Sequence, residues 1–154
     1  MAEFAAHGNH RLAWQGQVLV VRFAGIFNRE GVQAVVASVA AALARQDGVV
    51  GLLHEITDWH GGTPEAFAYW ISSVLGWVDA GRLVAAGDLY ADDEQSFMGQ
   101  SVRLAVGERI PYLSVRDDLP ACLDWFAGLG LATASPVVGL PGRVAQLRWI
   151  NSIL

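Results

Sequence analysis

The sequence predicts an α/β fold: a mixed, mostly parallel five-stranded sheet with an N-terminal β-hairpin and helices packed on it. Three observations carry that expectation. Runs rich in β-branched residues alternate along the chain with segments of helical period, which implies right-handed crossovers between parallel strands. Gln15-Gly16 lies between two strand-like runs, 11–14 and 18–25, as a tight turn that sets the first strand antiparallel to the second. Hydrophobic residues make up 53% of the 154 and charged residues only 16%, against about 25% charged in an average domain. Such a chain supports a large core and leaves apolar surface for a partner.

The elements follow in order. Val18-Leu-Val-Val-Arg-Phe-Ala is nearly continuous in apolar residues, as expected of a strand covered on both faces. Asn28 is placed to cap a helix over 29–46. Val32, Val35, Val36, Val39, Ala40 and Leu43 share one side of it, opposite the small face of Ala34, Ala37, Ser38 and Ala41. Asp47-Gly48 ends it. The run 49–57 is long and apolar enough for a central strand, and Asp58-Trp-His-Gly-Gly reads as a loop. Thr63 as N-cap, Pro64 at the first helical position and Glu65 in the first turn open a helix that stops at Gly81. Its core face is Phe67, Ile71, Val74, Leu75 and Val78. Trp70 and Trp77 fall at the edge of that face, a flank suited to a partner surface, a pocket wall or a wedge at the core boundary. A strand over 82–90, a helix over 93–106, a short strand over 112–115 and an Asp118-capped helix over 119–127 complete the pattern. With no internal repeat and no linker, one domain over 1–154 is expected, with a core of about 11–128. The tail, 129–154, carries Val144, Leu147, Ile150 and Leu154 at helical spacing and is expected to dock, on its own subunit or across a dimer.

Charge excludes several classes of function. The formal net charge is −5, and all ten basic residues are Arg, scattered from Arg11 to Arg148 with no two adjacent. A nucleic-acid-binding surface needs a basic stripe to neutralise phosphates, and none is present. The absence of Lys rules out Schiff-base chemistry. Cys122 is the single cysteine, so no intrachain disulfide forms. The N-terminus lacks the features of a signal peptide, and the longest weakly polar stretch, 31–44, is too short to span a bilayer. The expected location is the cytoplasm.

The segment from His54 to Thr63 is richest in chemistry, and it lies where a central parallel strand meets a helix N-terminus. His54 and Glu55 are adjacent on a strand and point to opposite faces. A buried Glu55 requires a partner such as an Arg. Asp58, His60 and Thr63, if they converge, form a hydrolase-like or metal-binding set. Against that, Thr63 is explained as a cap, Asp58 as an Asx turn and His60 as a loop hydrogen-bonder. His7 and His10 are a second, weak metal pair, and Cys122 reads as a buried small hydrophobe. No phosphate-binding loop or nucleophile elbow is present. No cofactor is called for.

Three stretches resemble the STAS-type, SpoIIAA-like proteins that share the fold of anti-sigma-factor antagonists: Val18-Leu-Val-Val-Arg-Phe-Ala-Gly, Leu83-Val-Ala-Ala-Gly-Asp, and Tyr112-Leu-Ser-Val-Arg-Asp-Asp-Leu-Pro-Ala-Cys-Leu-Asp-Trp-Phe. Glu55 to Pro64 is similar to that group's loop between the third strand and the second helix. The resemblance spans Val18 to Phe126, and the tail after Gly128 departs from it. It implies a non-enzymatic regulatory or binding domain, taking a protein partner or a small apolar ligand and forming a homodimer. His54, Glu55, Asp58, Trp59, His60, Thr63, Trp70 and Trp77 are the residues expected to meet that ligand or partner. In the antagonists a Ser near the start of the second helix is phosphorylated. The nearest hydroxyl here is Thr63, the candidate phospho-switch, and Asp58 is followed by Trp59-His60-Gly61 where the family has Ser-Ser-Gly.

Overall fold

Strand pairing sets the frame of the computed structural model, which describes residues 4–133, 149 and 150. The strands β1 (Asn9–Gln15), β2 (Val18–Phe27), β3 (Val50–Gly62), β4 (Leu83–Tyr90) and β5 (Tyr112–Arg116) lie in that spatial order. β1 and β2 are antiparallel; the remaining pairs are parallel. The helices are α1 (Arg29–Ala44), α2 (Pro64–Asp79), α3 (Asp93–Met98), α4 (Gln100–Gly107) and α5 (Leu119–Gly128). Among the described residues no helix is long and apolar enough to cross a membrane. The expected mixed sheet with its opening hairpin is therefore the observed one. The turn between β1 and β2 requires Gly16, whose φ is +60° and whose Cβ would lie 2.2 Å from the Ala132 carbonyl oxygen.

Side chains alternate across the strands, so each strand feeds two cores. Leu19, Val21, Leu52 and Ala86 face α1, α2 and α4, where they meet Val35, Val39, Val74 and Val106. Val18, Val20, Leu53, Ala85 and Leu89 face the other way and meet Leu119, Cys122, Leu123 and Phe126 of α5. Each fully buried Val, Leu or Phe among them contributes roughly 1.5–3 kcal/mol relative to exposure. In β3 a Cβ at Gly51 would sit 2.8 Å from the Phe126 ring, so α5 approaches the sheet where only glycine leaves room.

Several expectations are corrected. Asp58–Gly62 is not a loop: β3 runs on to Gly62 beside the end of β2, with Ala24 opposite Asp58 and Phe27 opposite Gly62. Two register shifts in that stretch break the alternation, which is why its pattern does not read as a strand. The helix expected over 93–106 is two, α3 and α4, divided at Gly99. The core face of α1 is rotated to include Ser38 and Ala42, while Ala40 is exposed. The α2 face is rotated as well. Trp70 is 4% exposed and central rather than at an edge, Val74 is buried beside it, and Trp77 is half-buried. Of the tail expected to dock, Val144, Leu147 and Leu154 lie outside the described residues. Ile150 donates its backbone N–H to Leu12 on the outer edge of β1, at 2.6 Å.

Candidate functional site

The helix-rich face of the sheet buries a cluster of polar side chains at its centre. His54 on β3 and Asp88 on β4 are both 4% exposed and occupy paired positions of the two strands. His54 Nδ1 lies 2.9 Å from the Gly87 carbonyl oxygen and 3.2 Å from Asp88 Oδ1. On the far side of the ring, Trp70 Nε1–H on α2 donates to His54 Nε2 at 2.9 Å. That donor fixes the tautomer: Nε2 accepts, so the imidazole proton sits on Nδ1 and points to Gly87 and Asp88. From β5, the Tyr112 hydroxyl donates to Asp88 Oδ1, and Ser114 Oγ donates to Asp88 Oδ2 at 3.0 Å. Arg103 on α4 donates to Ser114 Oγ at 3.3 Å and stands 4.0 Å from Asp88 Oδ2. Burial, then the Asp88 charge and hydrogen bond, push the Tyr112 hydroxyl well above its ordinary range, so it stays protonated and a donor.

An apolar pocket opens beside this cluster. Phe23 of β2, Ile56 and Trp59 of β3, Phe67 and Trp70 of α2 and Val102 of α4 form much of its wall, and His54 and Asp88 are the ionisable residues of that wall. About 50 Å³ of it is reachable by the centre of a water molecule. At Gly62 and Phe67 it adjoins a surface groove that carries His60, Gln100 and Ser101 and three exposed apolar side chains, Ile26, Phe97 and Leu104.

Glu55 points to the opposite face, as the strand alternation predicts. It is 0% exposed. Thr57 donates to its Oε1 from both backbone N–H and hydroxyl, and Arg22 Nε lies 3.4 Å from its Oε2. Arg22 is the partner that a buried carboxylate requires, and it also pairs with the exposed Asp58. Burial raises the Glu55 carboxyl above its usual range, with Thr57 and Arg22 opposing the shift and Asp58 adding to it.

The eight expected residues thus divide. His54, Trp59 and Trp70 line the pocket, His60 lines the groove outside it, and Trp77 stacks edge-on against Trp70 with ring centres 5.8 Å apart. Glu55 and Asp58 belong to the other face with Arg22. Thr63 accepts from Ala66 N–H at 3.2 Å as the α2 N-cap. Among the described residues no hydrogen bond joins Asp58, His60 and Thr63, and no group of three or more His, Cys, Asp or Glu is placed to hold a metal. His10 instead meets Ser38 Oγ at 2.8 Å. Sequence reasoning missed Asp88, Tyr112, Ser114 and Arg103. The one available signal was Asp88 itself, a carboxylate inside the apolar run Leu83–Tyr90.

No family model matches the chain, and no curated protein matches it. Among solved structures, it is similar to an uncharacterised protein of the DUF3478 family with a SpoIIAA-like fold from Shewanella loihica PV-4. The TM-score is 0.58 at 15% identity, over 81% of this chain and 98% of that one. The fold of this chain is SpoIIAA-like.

Proposed function

We propose, with a SpoIIAA-like fold as premise, that this chain is a non-enzymatic STAS-like binding domain that takes a small apolar ligand between its sheet and the α1, α2 and α4 layer. The observation that supports this reading is an aromatic-walled pocket whose one imidazole is already engaged on both nitrogens. A general base needs a free lone pair within reach of the proton it removes. His54 Nε2 instead accepts from Trp70, and Asp88 holds the rest of a structural network.

Titrating the full chain with 1-hexanol tests the reading. The expected result is a saturable shift of the Trp70 indole N–H resonance, lost in Ala66→Leu, which fills the pocket from α2. No shift at Trp70 up to the solubility of the alcohol removes the proposal. A homodimer belongs to the same proposal, supported by the exposed Ile26, Phe97 and Leu104. Light scattering after size exclusion is expected to give twice the chain mass, and a clean monomer at micromolar concentration removes that part.

A further inference from the structure

The polar part of the pocket wall carries a chemical restriction that rests on the binding role proposed above. Each polar side chain there is committed to a neighbour. His54 uses Nδ1 toward Gly87 and Asp88 and Nε2 toward Trp70. Asp88 accepts from Tyr112 on one oxygen and from Ser114 on the other. The Trp70 indole N–H is spent on His54. Among the described residues, the buried side-chain nitrogen and oxygen atoms that lack a hydrogen bond are Arg22 Nε and Glu55 Oε2, on the opposite face of the sheet. A hydroxyl or amine brought against this wall would lose its water and find no free donor and no free imidazole lone pair there, only an Asp88 carboxylate that is 4% exposed and already shared between Tyr112 and Ser114.

We infer that the pocket admits ligands by an end that bears no hydrogen-bonding group, and that the closed Trp70–His54–Asp88–Tyr112 network is the filter that rejects polar ends. The small accessible space, about 50 Å³, suits a slender aliphatic end better than a bulky one. Any polar end of the ligand stays outside, along the groove where His60, Gln100 and Ser101 supply partners. The ligand class is thus a small molecule with one hydrocarbon end, bound hydrocarbon-first.

Two six-carbon alcohols separate this inference from the binding proposal. 1-Hexanol can enter by its methyl end and leave its hydroxyl in the groove. 1,6-Hexanediol has the same chain but must bury a hydroxyl. With the ¹⁵N-labelled full chain, the Trp70 indole and the Gly62 and Gly99 amides report occupancy. The expected result is that the diol binds weaker by on the order of 100-fold, the scale at which an apolar pocket discriminates against an added hydroxyl. Equal affinities overturn the filter and leave the apolar pocket intact as a binding site. No response to either alcohol overturns both. Trp70→Phe frees His54 Nε2 as an acceptor, so the discrimination is expected to narrow by about tenfold, one charge-neutral hydrogen bond's worth. An unchanged ratio in a folded Trp70→Phe protein overturns the role of the Trp70–His54 bond. The wild-type comparison decides the inference even where that variant does not fold.

Discussion

Glu55 has no exposed surface, yet its Oε2 lacks a hydrogen bond and its nearest cation, Arg22 Nε, is 3.4 Å away. Burial is the largest influence on its pKa and raises it. The folded chain therefore holds the Glu55 proton more tightly than the unfolded chain, where a glutamate titrates near 4.5. Between that value and the raised one the folded state binds more protons, so stability falls as pH rises through the window. The contribution is fully present below the unfolded value and is lost above the folded one. Urea unfolding at a series of pH values is expected to show wild type losing stability relative to Glu55→Gln as pH rises from about 4.5, then running parallel to it. A constant difference across the series refutes this. The need for an Arg partner was legible from the sequence, because alternation on a central strand forces one of His54 and Glu55 to each face. The identity of that partner was not, because Arg22 reaches Glu55 only through the β2–β3 register. Asp88 was equally hidden: its donors come from Tyr112 and Ser114 on a strand more than twenty residues away.

Helix ends were more legible than helix faces, and the reason is range. A cap is a contact within three residues, so Asn28 over Gly31, Thr63 over Ala66 and Asp118 over Ala121 all stand where the sequence places them. A face is chosen by what lies across from it. Trp70 turns inward because His54 offers an acceptor and Phe23 packs edge-on against its ring at 5.1 Å. The C-terminal end of α1 is also closed from a distance. Arg82 donates to the carbonyl oxygens of Leu43, Gln46 and Gly48, at 3.1, 2.5 and 2.8 Å. Leu43 lies in the last turn of α1 and Gln46 and Gly48 just beyond it, and a cation at this end also complements the helix dipole. Arg82→Ala is expected to cost about 1–2 kcal/mol, against about 1 kcal/mol for Thr63→Ala at the α2 N-cap. Thermal unfolding of the two variants measures both. A loss at Arg82 no larger than that of an ordinary surface substitution would mean that water replaces its bonds to the three carbonyls.

At the scale of the whole molecule, the two cores share one sheet, and adjacent residues serve opposite sides of it. Val20 and Val21 on β2, and Leu52 and Leu53 on β3, are all buried, one of each pair in each core. Neither face can lose its packing without loosening the strands that hold the other. α5 covers its side through Phe126, which is 0% exposed and sits over Gly51 on the central strand. Phe126→Ala leaves a cavity at that crossing and is expected to cost about 3–5 kcal/mol. Tryptophan placement makes the coupling measurable. Trp59 and Trp70 are buried in the α1/α2 core with Trp14 and Trp77 against it, whereas Trp125 and Trp149 pack, partly buried, on the α5 side. Tryptophan emission is therefore dominated by one face. If the sheet couples the cores, Phe126→Ala lowers the midpoint of Trp emission together with that of far-UV circular dichroism, in one transition. A variant in which emission keeps the wild-type midpoint while circular dichroism melts earlier would show that α5 and its core unfold on their own. The sheet would then be a platform with a detachable layer, and the pocket on the α1/α2 face would be insulated from changes at α5.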